Sequence, residues 1–443
     1  MQTLQQLQSG ELIGATKLKL SCGLTEFPRD ILELADTLEY LDLSGNNLSA
    51  LPADFSRLKK IKIAFFSDNP FTEIPEVLGA LPKLEMLGFK ANQIEVIPEN
   101  SLAPTLRWLI LTNNRIEKLP KSIGNCKNMQ KLMLAGNKLQ ELPIELAACK
   151  KLELLRVSAN ELTEIPDWLF KLPHLSWLAF ARNPCVKQEK LPDNLPEISW
   201  KVLELEEQLG AGASGVISKA NWQKTVAEKA EKVAVKVFKG EVTSDGLPAD
   251  EMQACMAAGK HPNLVQVLGK ISDHPEQKQG LVLKLIPNGF KNLGNPPSFE
   301  SCTRDTYLEG TEISWQAILN IISGIAFAAA QLHERGMMHG DLYAHNILID
   351  ENSFPLFGDF GAATIYDKED LFAATFEKLE VRAFGCLLEE LLDRLVDKNS
   401  DRKTVTKLLR LKQDCMQEHI SERPDFATIC KQLQSLVRVN IPA

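Results

Sequence analysis

One asparagine recurs at a nearly constant spacing through the first half of this 443-residue chain. The seven positions, separated by steps of 22 or 23 residues, are Asn46, Asn69, Asn92, Asn114, Asn137, Asn160 and Asn183. Leucine or another apolar residue stands at the same offsets around each copy, as in L-x-x-L-x-L-x-x-N-x-L at residues 38–48. A period of this length indicates a solenoid, in which each repeat buries its apolar face against its neighbours. The length of such an array reflects its number of repeats, so chain length alone does not count the domains here.

Each repeat contains an alternating x-Leu-x-Leu stretch, which predicts a short strand, and its Asn side chain can satisfy backbone groups at the turn that follows. This frame resembles the leucine-rich repeat family over about residues 15–186. The resemblance implies a curved α/β solenoid of about seven to eight repeats with caps, to which we assign residues 1–198. Cys126 and Cys149 lie one period apart, so we interpret them as buried wall residues and not as reactive thiols.

In such a solenoid, the strand positions between the leucines point out of the concave face. These positions are mostly apolar or aromatic here, a composition that is typical of the core of a protein interface. The predicted concave stripe consists of Tyr40, Ile63, Phe65, Met86, Trp108, Ile110, Met133, Leu154, Arg156 and Trp177. We expect a protein substrate or regulator to bind this stripe. The alternative is that the second domain covers it, or that the strand register differs.

The period ends after Asn183, and a Pro-containing segment at residues 190–197 leads into a second domain, assigned to residues 199–443. Residues 210–215 read G-A-G-A-S-G between two β-like runs. Alone, this G-x-G-x-x-G pattern fits a Rossmann turn or a plain Gly-rich hairpin. The strand that follows contains V-A-V-K-V at residues 233–237, with Lys236 as the fourth residue of this run. This order resembles the protein-kinase family, in which the lysine reaches the phosphates of ATP.

Further motifs of the protein-kinase family follow in the expected order. They are H-P-N-L-V at 261–265, the hinge-like strand L-V-L-K-L at 281–285, the catalytic-loop-like H-G-D-L-Y-A-H-N at 339–346, D-F-G at 359–361, E-V-R-A-F-G at 380–385 and R-P-D-F at 423–426. An isolated D-F-G or H-x-D is weak evidence for a kinase, but the ordered set is specific. The resemblance spans about residues 203–437 and implies a bilobal α+β fold.

The resemblance also implies a role for each matched residue. Asp341 would accept the proton of the substrate hydroxyl as the catalytic base, and Lys236, held by Glu251, would bind the ATP phosphates. Glu251 is preferred to Asp250 because the aspartate side chain is too short for this pair. Asn346 and Asp359 would hold Mg²⁺. The residues expected to bind ATP are Leu209, Gly210, Gly212, Gly215, Ile217, Ala234, Lys236, Leu283, Leu285 and Leu348.

Four features depart from the family pattern. Gly340 stands where most protein kinases have arginine, so no obvious cation pairs with a phosphorylated activation loop, and we predict that loop phosphorylation is not the on-switch. Tyr343 occupies the position where serine/threonine kinases carry lysine, and Glu380 replaces an aspartate. The activation segment that begins at Asp359 is short and contains no A-P-E, although Arg423, the usual partner of that glutamate, is retained.

The resemblance implies an ATP- and Mg²⁺-dependent protein kinase, which we expect to phosphorylate serine or threonine. Two alternatives remain. H-G-D also resembles the loop of aminoglycoside-type kinases, which phosphorylate small hydroxylated molecules. The chain could also be a pseudokinase scaffold that acts through its repeats, although the presence of Lys236, Asp341, Asn346 and Asp359 weighs against this.

Composition restricts the partners and the compartment. The net charge is −8 and the pI is about 5.6, and a net negative surface does not attract nucleic acid or an anionic membrane. No run reaches the roughly 18 consecutive apolar residues of a membrane span, and the first residues lack the pattern of a signal peptide. The nine cysteines form no C-x-x-C pair. We therefore expect a cytoplasmic protein that binds neither nucleic acid nor membrane, with its oligomeric state left open.

Overall fold

The computed structural model describes residues 2–186, 195–212, 214–225, 229–240, 242–396 and 402–439. The chain divides into two compact units. The first consists of residues 1–175 with 183–185, and the second of residues 176–182 with 186–443. Residues 190–194 of the predicted connection and Ala213 of the glycine-rich stretch lie outside the described residues.

The repeats form the parallel sheet that their period predicts. A short helix, α1 (Leu4–Gln8), comes first. The sheet contains, in chain order, β1 (Lys17–Lys19), β2 (Tyr40–Asp42), β3 (Ile63–Phe65), β4 (Met86–Gly88), β5 (Trp108–Ile110), β6 (Lys131–Met133), β7 (Leu154–Arg156) and β8 (Trp177–Ala179). The register aligns equivalent positions of successive repeats, as in Tyr40 with Ile63, and the central residue of each strand from β1 to β8 is buried. The predicted strand positions and their register are therefore confirmed.

The recurring asparagine ties each repeat to the ones before it. The amide nitrogen of Asn137 donates to the carbonyl oxygens of Leu111 and Leu134, both at 2.9 Å, and its Oδ1 accepts from the N–H of Ile116 at 3.0 Å. The other copies from Asn46 to Asn183 make equivalent bonds. A buried backbone group without a partner would be costly, so this residue type is required at every turn.

Proline starts the short 3₁₀ segments that return the chain towards the next strand. The segments preceded by proline are Arg29–Leu34, Ala53–Arg57, Glu76–Leu78, Lys121–Asn125, Ile144–Ala148 and Asp167–Lys171. Proline suits this place because its φ is fixed near −65° and it lacks the N–H that would have no partner in a first turn. Cys126 and Cys149 follow two of these segments, are fully buried, and have thiol pKa values that burial raises to about 12 and about 11. The interpretation of both as buried wall residues is confirmed.

The second unit begins with a mixed sheet and one helix. The sheet has the order β10-β11-β12-β14-β13-β9, with β9 (Glu197–Ser199), β10 (Leu203–Ala211), β11 (Gly215–Trp222), β12 (Glu231–Phe238), β13 (Val267–Ser272) and β14 (Gly280–Lys284). The helix α2 (Pro248–Ala258) starts with proline in its first turn and ends before Gly259, whose φ is +71°. Side chains alternate along β12, so Val235 is buried in the core of the sheet while Lys236 faces a cavity.

Helices dominate the remainder of the second unit. They are α3 (Trp315–Glu334), α4 (Ala373–Asp393), α5 (Arg402–Cys415) and α6 (Phe426–Val439), accompanied by the short strands β15 (Lys291–Asn292), β16 (Met337–Met338), β17 (Ile347–Ile349), β18 (Pro355–Phe357) and β19 (Thr364–Ile365). By length and composition α3 could cross a membrane. Twelve of its residues are buried inside the unit, however, where it packs on α4 and α6, so it is a core helix. The predicted fold, a leucine-rich-repeat solenoid followed by a bilobal α+β domain, matches the described architecture.

Candidate active site

A buried ion pair joins β12 to α2. The Nζ of Lys236 bonds to the Oε1 of Glu251, and the two side chains are 12% and 2% exposed. Burial alone would lower the pKa of Lys236, but the charge of Glu251 outweighs that effect and holds the pKa above its usual value. Lys236 is therefore a fixed cation at the wall of the cavity. The choice of Glu251 as the partner of this lysine agrees with the geometry.

The loop between β16 and β17 carries the predicted catalytic base. The side-chain amide of Asn346 donates to the Oδ2 of Asp341 at 2.7 Å and to its carbonyl oxygen at 3.0 Å. The N–H of Asp341 donates to the Nδ1 of His339 at 3.3 Å, and the Nε2 of His339 lies 3.0 Å from the carbonyl oxygen of Gly358. His339 stacks on the ring of Phe357, and burial lowers its pKa, so it is neutral and donates through Nε2. These bonds hold the Asp341 carboxylate in one orientation.

A buried carboxylate supports this loop from beneath. Glu380 on α4 is 1% exposed and accepts from the backbone N–H groups of His339, at 3.2 Å, and Gly340, at 2.7 Å. Its Oε2 also lies 2.7 Å from the Nε2 of His333. The predicted aspartate-to-glutamate departure therefore retains a carboxylate that binds the catalytic loop.

One cavity of about 870 Å³ brings most of the predicted site residues together. The predicted residues that line it are Leu209, Ile217, Ala234, Lys236, Glu251, Leu283, Leu285, Asn346, Leu348 and Asp359. Gly210, Gly212, Gly215 and Asp341 do not line it. Its walls combine apolar side chains with polar and charged side chains, among them Lys236, Asn346 and Asp359. This combination suits a planar apolar group joined to a charged tail.

The three glycines of the β10–β11 hairpin differ in their surroundings. A Cβ at Gly215 would lie 2.6 Å from the carbonyl oxygen of Val237, so packing against β12 requires glycine there. A Cβ at Gly210 or Gly212 would meet no atom within 4 Å. Packing therefore does not account for these two glycines, and the space beside them is available to a phosphate.

Two of the side chains that line the cavity, Asn346 and Asp359, suit a magnesium ion. Asp359 offers a carboxylate, and the Oδ1 of Asn346 takes no part in the bonds that its amide nitrogen makes to Asp341. Mg²⁺ prefers such oxygen ligands, and it is usually held by one or two side chains together with substrate phosphates. Among the described residues, no three His, Cys, Asp or Glu side chains form a metal site of their own. Asp359 has a φ of +59°, a strained value that is typical of functional sites.

The sequence analysis did not identify Asp305 as part of this site. Its carboxylate lies 2.7 Å from the Nδ1 of His345, which lines the cavity, and it accepts from the N–H of the same residue at 2.8 Å. Burial would lower the pKa of His345, but Asp305 outweighs that effect and raises the pKa. Asp305 belongs to no motif and has no periodic neighbour, so no sequence signal could have revealed this pair.

The departures from the family pattern have structural counterparts. β19 pairs with β16, and α4 begins at Ala373, so only residues 366–372 separate the end of β19 from the helix. Gly340 has a φ of +73°, and a Cβ there would lie 2.6 Å from the carbonyl oxygens of Leu178 and Ala362. These two contacts exclude arginine at residue 340.

Arg423, the retained partner of the missing A-P-E glutamate, is buried. Its guanidinium donates to backbone carbonyl oxygens, including that of Gln417.

The predicted concave stripe changes in character along the repeats. Tyr40, Ile63, Phe65, Trp108 and Ile110 are partly exposed, whereas Met86 and Met133 are 7% and 8% exposed.

The expectation that the last residues of the stripe face an outside partner is wrong. Leu154, Arg156 and Trp177 are 2%, 1% and 1% exposed, too little for such a contact. The indole of Trp177 is covered by the ring of Tyr343.

Comparison with known proteins identifies two kinds of module in the chain. A family model described as protein tyrosine and serine/threonine kinase matches residues 203–402. Leucine-rich repeat models match residues 37–58, 104–162 and 127–185.

Several relatives of the chain are named as kinases. The chain is 35% identical over 136 residues, 30% of its length, to the L-type lectin-domain containing receptor kinase S.6 of Arabidopsis thaliana, and covers 19% of that protein. It is 31% identical over 176 residues, 38% of its length, to the receptor-like serine/threonine-protein kinase SD1-7 of the same plant, again covering 19%. It is 28% identical over 208 residues, 45% of its length, to the tyrosine-protein kinase receptor TYRO3 of Danio rerio, covering 23%. The chain thus spans less than a quarter of the length of these relatives.

Proposed function

We propose that this chain, which combines leucine-rich repeats with a protein kinase domain, transfers the γ-phosphate of ATP to a serine or threonine hydroxyl of a protein. The observation that carries the proposal is the arrangement of five side chains in the second unit. Lys236 and Glu251 form a buried ion pair, Asn346 orients Asp341, and Asp359 lines the same cavity as Lys236. This is the set that phosphoryl transfer requires.

Each side chain has a task in the transfer. Asp341 orients the acceptor hydroxyl and accepts its proton as the new O–P bond forms, and ADP leaves with the electron pair of the bond that breaks. Lys236 stabilises the negative charge of the phosphates, and the open space beside Gly210 and Gly212 leaves room for them. Asn346 and Asp359 would hold Mg²⁺, which would neutralise phosphate charge.

A relative named as a serine/threonine-protein kinase, 31% identical over 176 residues, supports a serine or threonine as the acceptor. The repeats offer partly exposed apolar and aromatic side chains at Tyr40, Phe65 and Trp108, which suits capture of a protein substrate or regulator. We place the protein in the cytoplasm because its nine cysteines are scattered along the sequence and form no C-x-x-C pair, a usage that suits a reducing compartment.

The acceptor class is tested with γ-labelled ATP and a whole-cell lysate. Wild-type protein is compared with Asp341→Asn and with Asp393→Asn, which changes an exposed carboxylate at the end of α4. We expect label in protein phosphoserine or phosphothreonine with the wild type and Asp393→Asn. With Asp341→Asn we expect a loss of at least about 100-fold but normal ATP binding.

Each other outcome supports a different function. Label in phosphotyrosine would replace the proposed acceptor. Label only in small molecules would favour the aminoglycoside-type alternative, which the short stretch between β19 and α4 makes worth testing. No transfer by the wild type to any acceptor would leave the pseudokinase scaffold.

A further inference from the structure

Residues 176–182 lie against the catalytic loop within the second unit. The indole of Trp177 stacks on the ring of Tyr343, with centroids 4.3 Å apart and planes at 8°. Its Nε1–H donates to the carbonyl oxygen of Leu342 at 3.1 Å. Leu342 and Tyr343 directly follow Asp341, so this tryptophan holds the chain on one side of the catalytic base.

The same segment holds the other side of the base. Gly340 directly precedes Asp341. A Cβ at residue 340 would lie 2.6 Å from the carbonyl oxygen of Leu178, which is too close for a side chain. The segment can therefore pack this closely on the loop because residue 340 is glycine and not arginine. A side chain at residue 340 would push the segment away from the loop.

The far end of the segment contacts the elements that set the active arrangement. The N–H of Phe180 donates to the Oγ1 of Thr364 on β19 at 3.2 Å, and its ring packs on Phe376 of α4 at 4.9 Å. Arg182 forms an ion pair with Asp250 on α2 at 2.9 Å. Asp250 is the neighbour of Glu251, so this pair also bears on the orientation of the Lys236–Glu251 contact.

We propose that segment 176–182 holds the catalytic loop and α2 in their active arrangement, with Trp177 and Arg182 as positioning residues. Kinases with arginine in place of Gly340 can obtain this alignment from a phosphorylated activation segment. Here the alignment is permanent, because the contacts come from the chain itself and need no phosphate. The inference rests on the kinase activity proposed above.

The first test compares full-length Trp177→Ala and Trp177→Phe with the matched control Trp168→Ala. Trp168 is half-buried in the Asp167–Lys171 turn. Misplacing a catalytic group by about 1 Å can cost about 100-fold in rate, so we expect kcat to fall about 10- to 100-fold in Trp177→Ala. KM for ATP should stay within about two-fold, because Trp177 does not line the cavity. Trp177→Phe keeps the stacking and should recover most of the rate, and Trp168→Ala should match the wild type.

A charge reversal tests the second contact without opening a cavity in the core. Arg182→Asp and Asp250→Arg should each lower kcat, and the double variant should restore it, because only the double variant re-forms the pair. Wild-type protein treated with phosphatase should keep its kcat.

Three results would overturn the inference. Trp177→Ala with unchanged kcat, or with raised kcat, would show that the segment is inert or inhibitory. Wild-type activity lost after phosphatase treatment would show that a phosphate does the positioning. If the wild type transfers no phosphate, the proposed function fails and the inference fails with it, whereas an active wild type with an equally active Trp177→Ala refutes the inference alone.

Discussion

Replacing Glu380 by glutamine should destabilise the second unit and slow phosphate transfer together. The carboxylate accepts from His333, from the N–H of His339 and from the N–H of Gly340. A glutamine side chain has only one oxygen. If the glutamine NH₂ faces Gly340, the backbone N–H of Gly340 loses its acceptor. If the NH₂ instead faces His339, the backbone N–H of His339 loses its acceptor. Either orientation leaves one buried backbone donor without a partner.

The loss of stability in Glu380→Gln is that of one buried backbone N–H without an acceptor. Leaving a buried donor unsatisfied costs about 1–3 kcal/mol. For a domain of this size, each kcal/mol lowers Tm by about 2–4 °C. The N–H that loses its acceptor belongs to Gly340 or His339, one or two residues before Asp341. The catalytic loop should therefore shift, and kcat should fall as well.

The pH dependence of the difference in Tm shows whether the charged carboxylate of Glu380 causes the loss of stability. Burial opposes the charge of Glu380, but the hydrogen bonds from His333 and the backbone outweigh it and hold the pKa below the ordinary 4.5. A group with a lowered folded-state pKa contributes stability above its ordinary pKa and loses that contribution as pH falls through the folded value. The difference in Tm between wild type and Glu380→Gln should therefore be largest at neutral pH and shrink in acid.

The assay is thermal unfolding, following the transition that shifts upward when ADP is added, since ligand binding marks the second unit. The control is Glu369→Gln, which makes the same change at an exposed residue. If Glu380→Gln melts within about 1 °C of the control at neutral pH and keeps the wild-type kcat, the support assigned to this carboxylate is refuted.

Two further changes test features outside the transfer step itself. Asn137→Ala should destabilise the repeat unit by about 1–3 kcal/mol in chemical denaturation, because the buried N–H of Ile116 loses its acceptor. The control is Asn47, an exposed asparagine next to the recurring Asn46, and an equal effect of Asn47→Ala would contradict the role of the asparagine bonds. Asp305→Asn removes the partner that raises the pKa of His345. A group whose pKa is raised in the folded state stabilises the fold below its ordinary pKa, here 6.5, and this contribution is lost as pH rises through the folded-state pKa. The stability gap between wild type and Asp305→Asn should therefore shrink from mildly acidic to mildly alkaline pH, and a constant gap would exclude this titration.

Periodic and local patterns were sufficient to predict the repeats and the core of the site. The step from one asparagine to the next fixes where each strand lies, because every copy must satisfy the same backbone groups. The spacing around Lys236, Asp341 and Asn346 likewise predicts the site, since the chemistry needs those side chains in a constant order.

Contacts between distant parts of the chain were not predictable in this way. The strand period assigns Trp177 to one face of the sheet, but it does not say what lies against that face, and the answer is Tyr343, far along the chain. Asp305 and His345 are 40 residues apart with no repeat between them. Pattern analysis finds positions that recur or that match a motif, and both of these contacts arise from packing alone.

The carbonyl oxygen of Leu178 beside Gly340 also restricts how this chain can evolve. The Cβ of an arginine at residue 340 would collide with two backbone oxygens that no side-chain substitution removes. The backbone at residue 178 would have to move first, and that move alone would withdraw the contacts of Trp177 from the loop. A side chain at residue 340 and the present position of the Leu178 backbone therefore exclude each other, so a substitution at one place requires a change at the other.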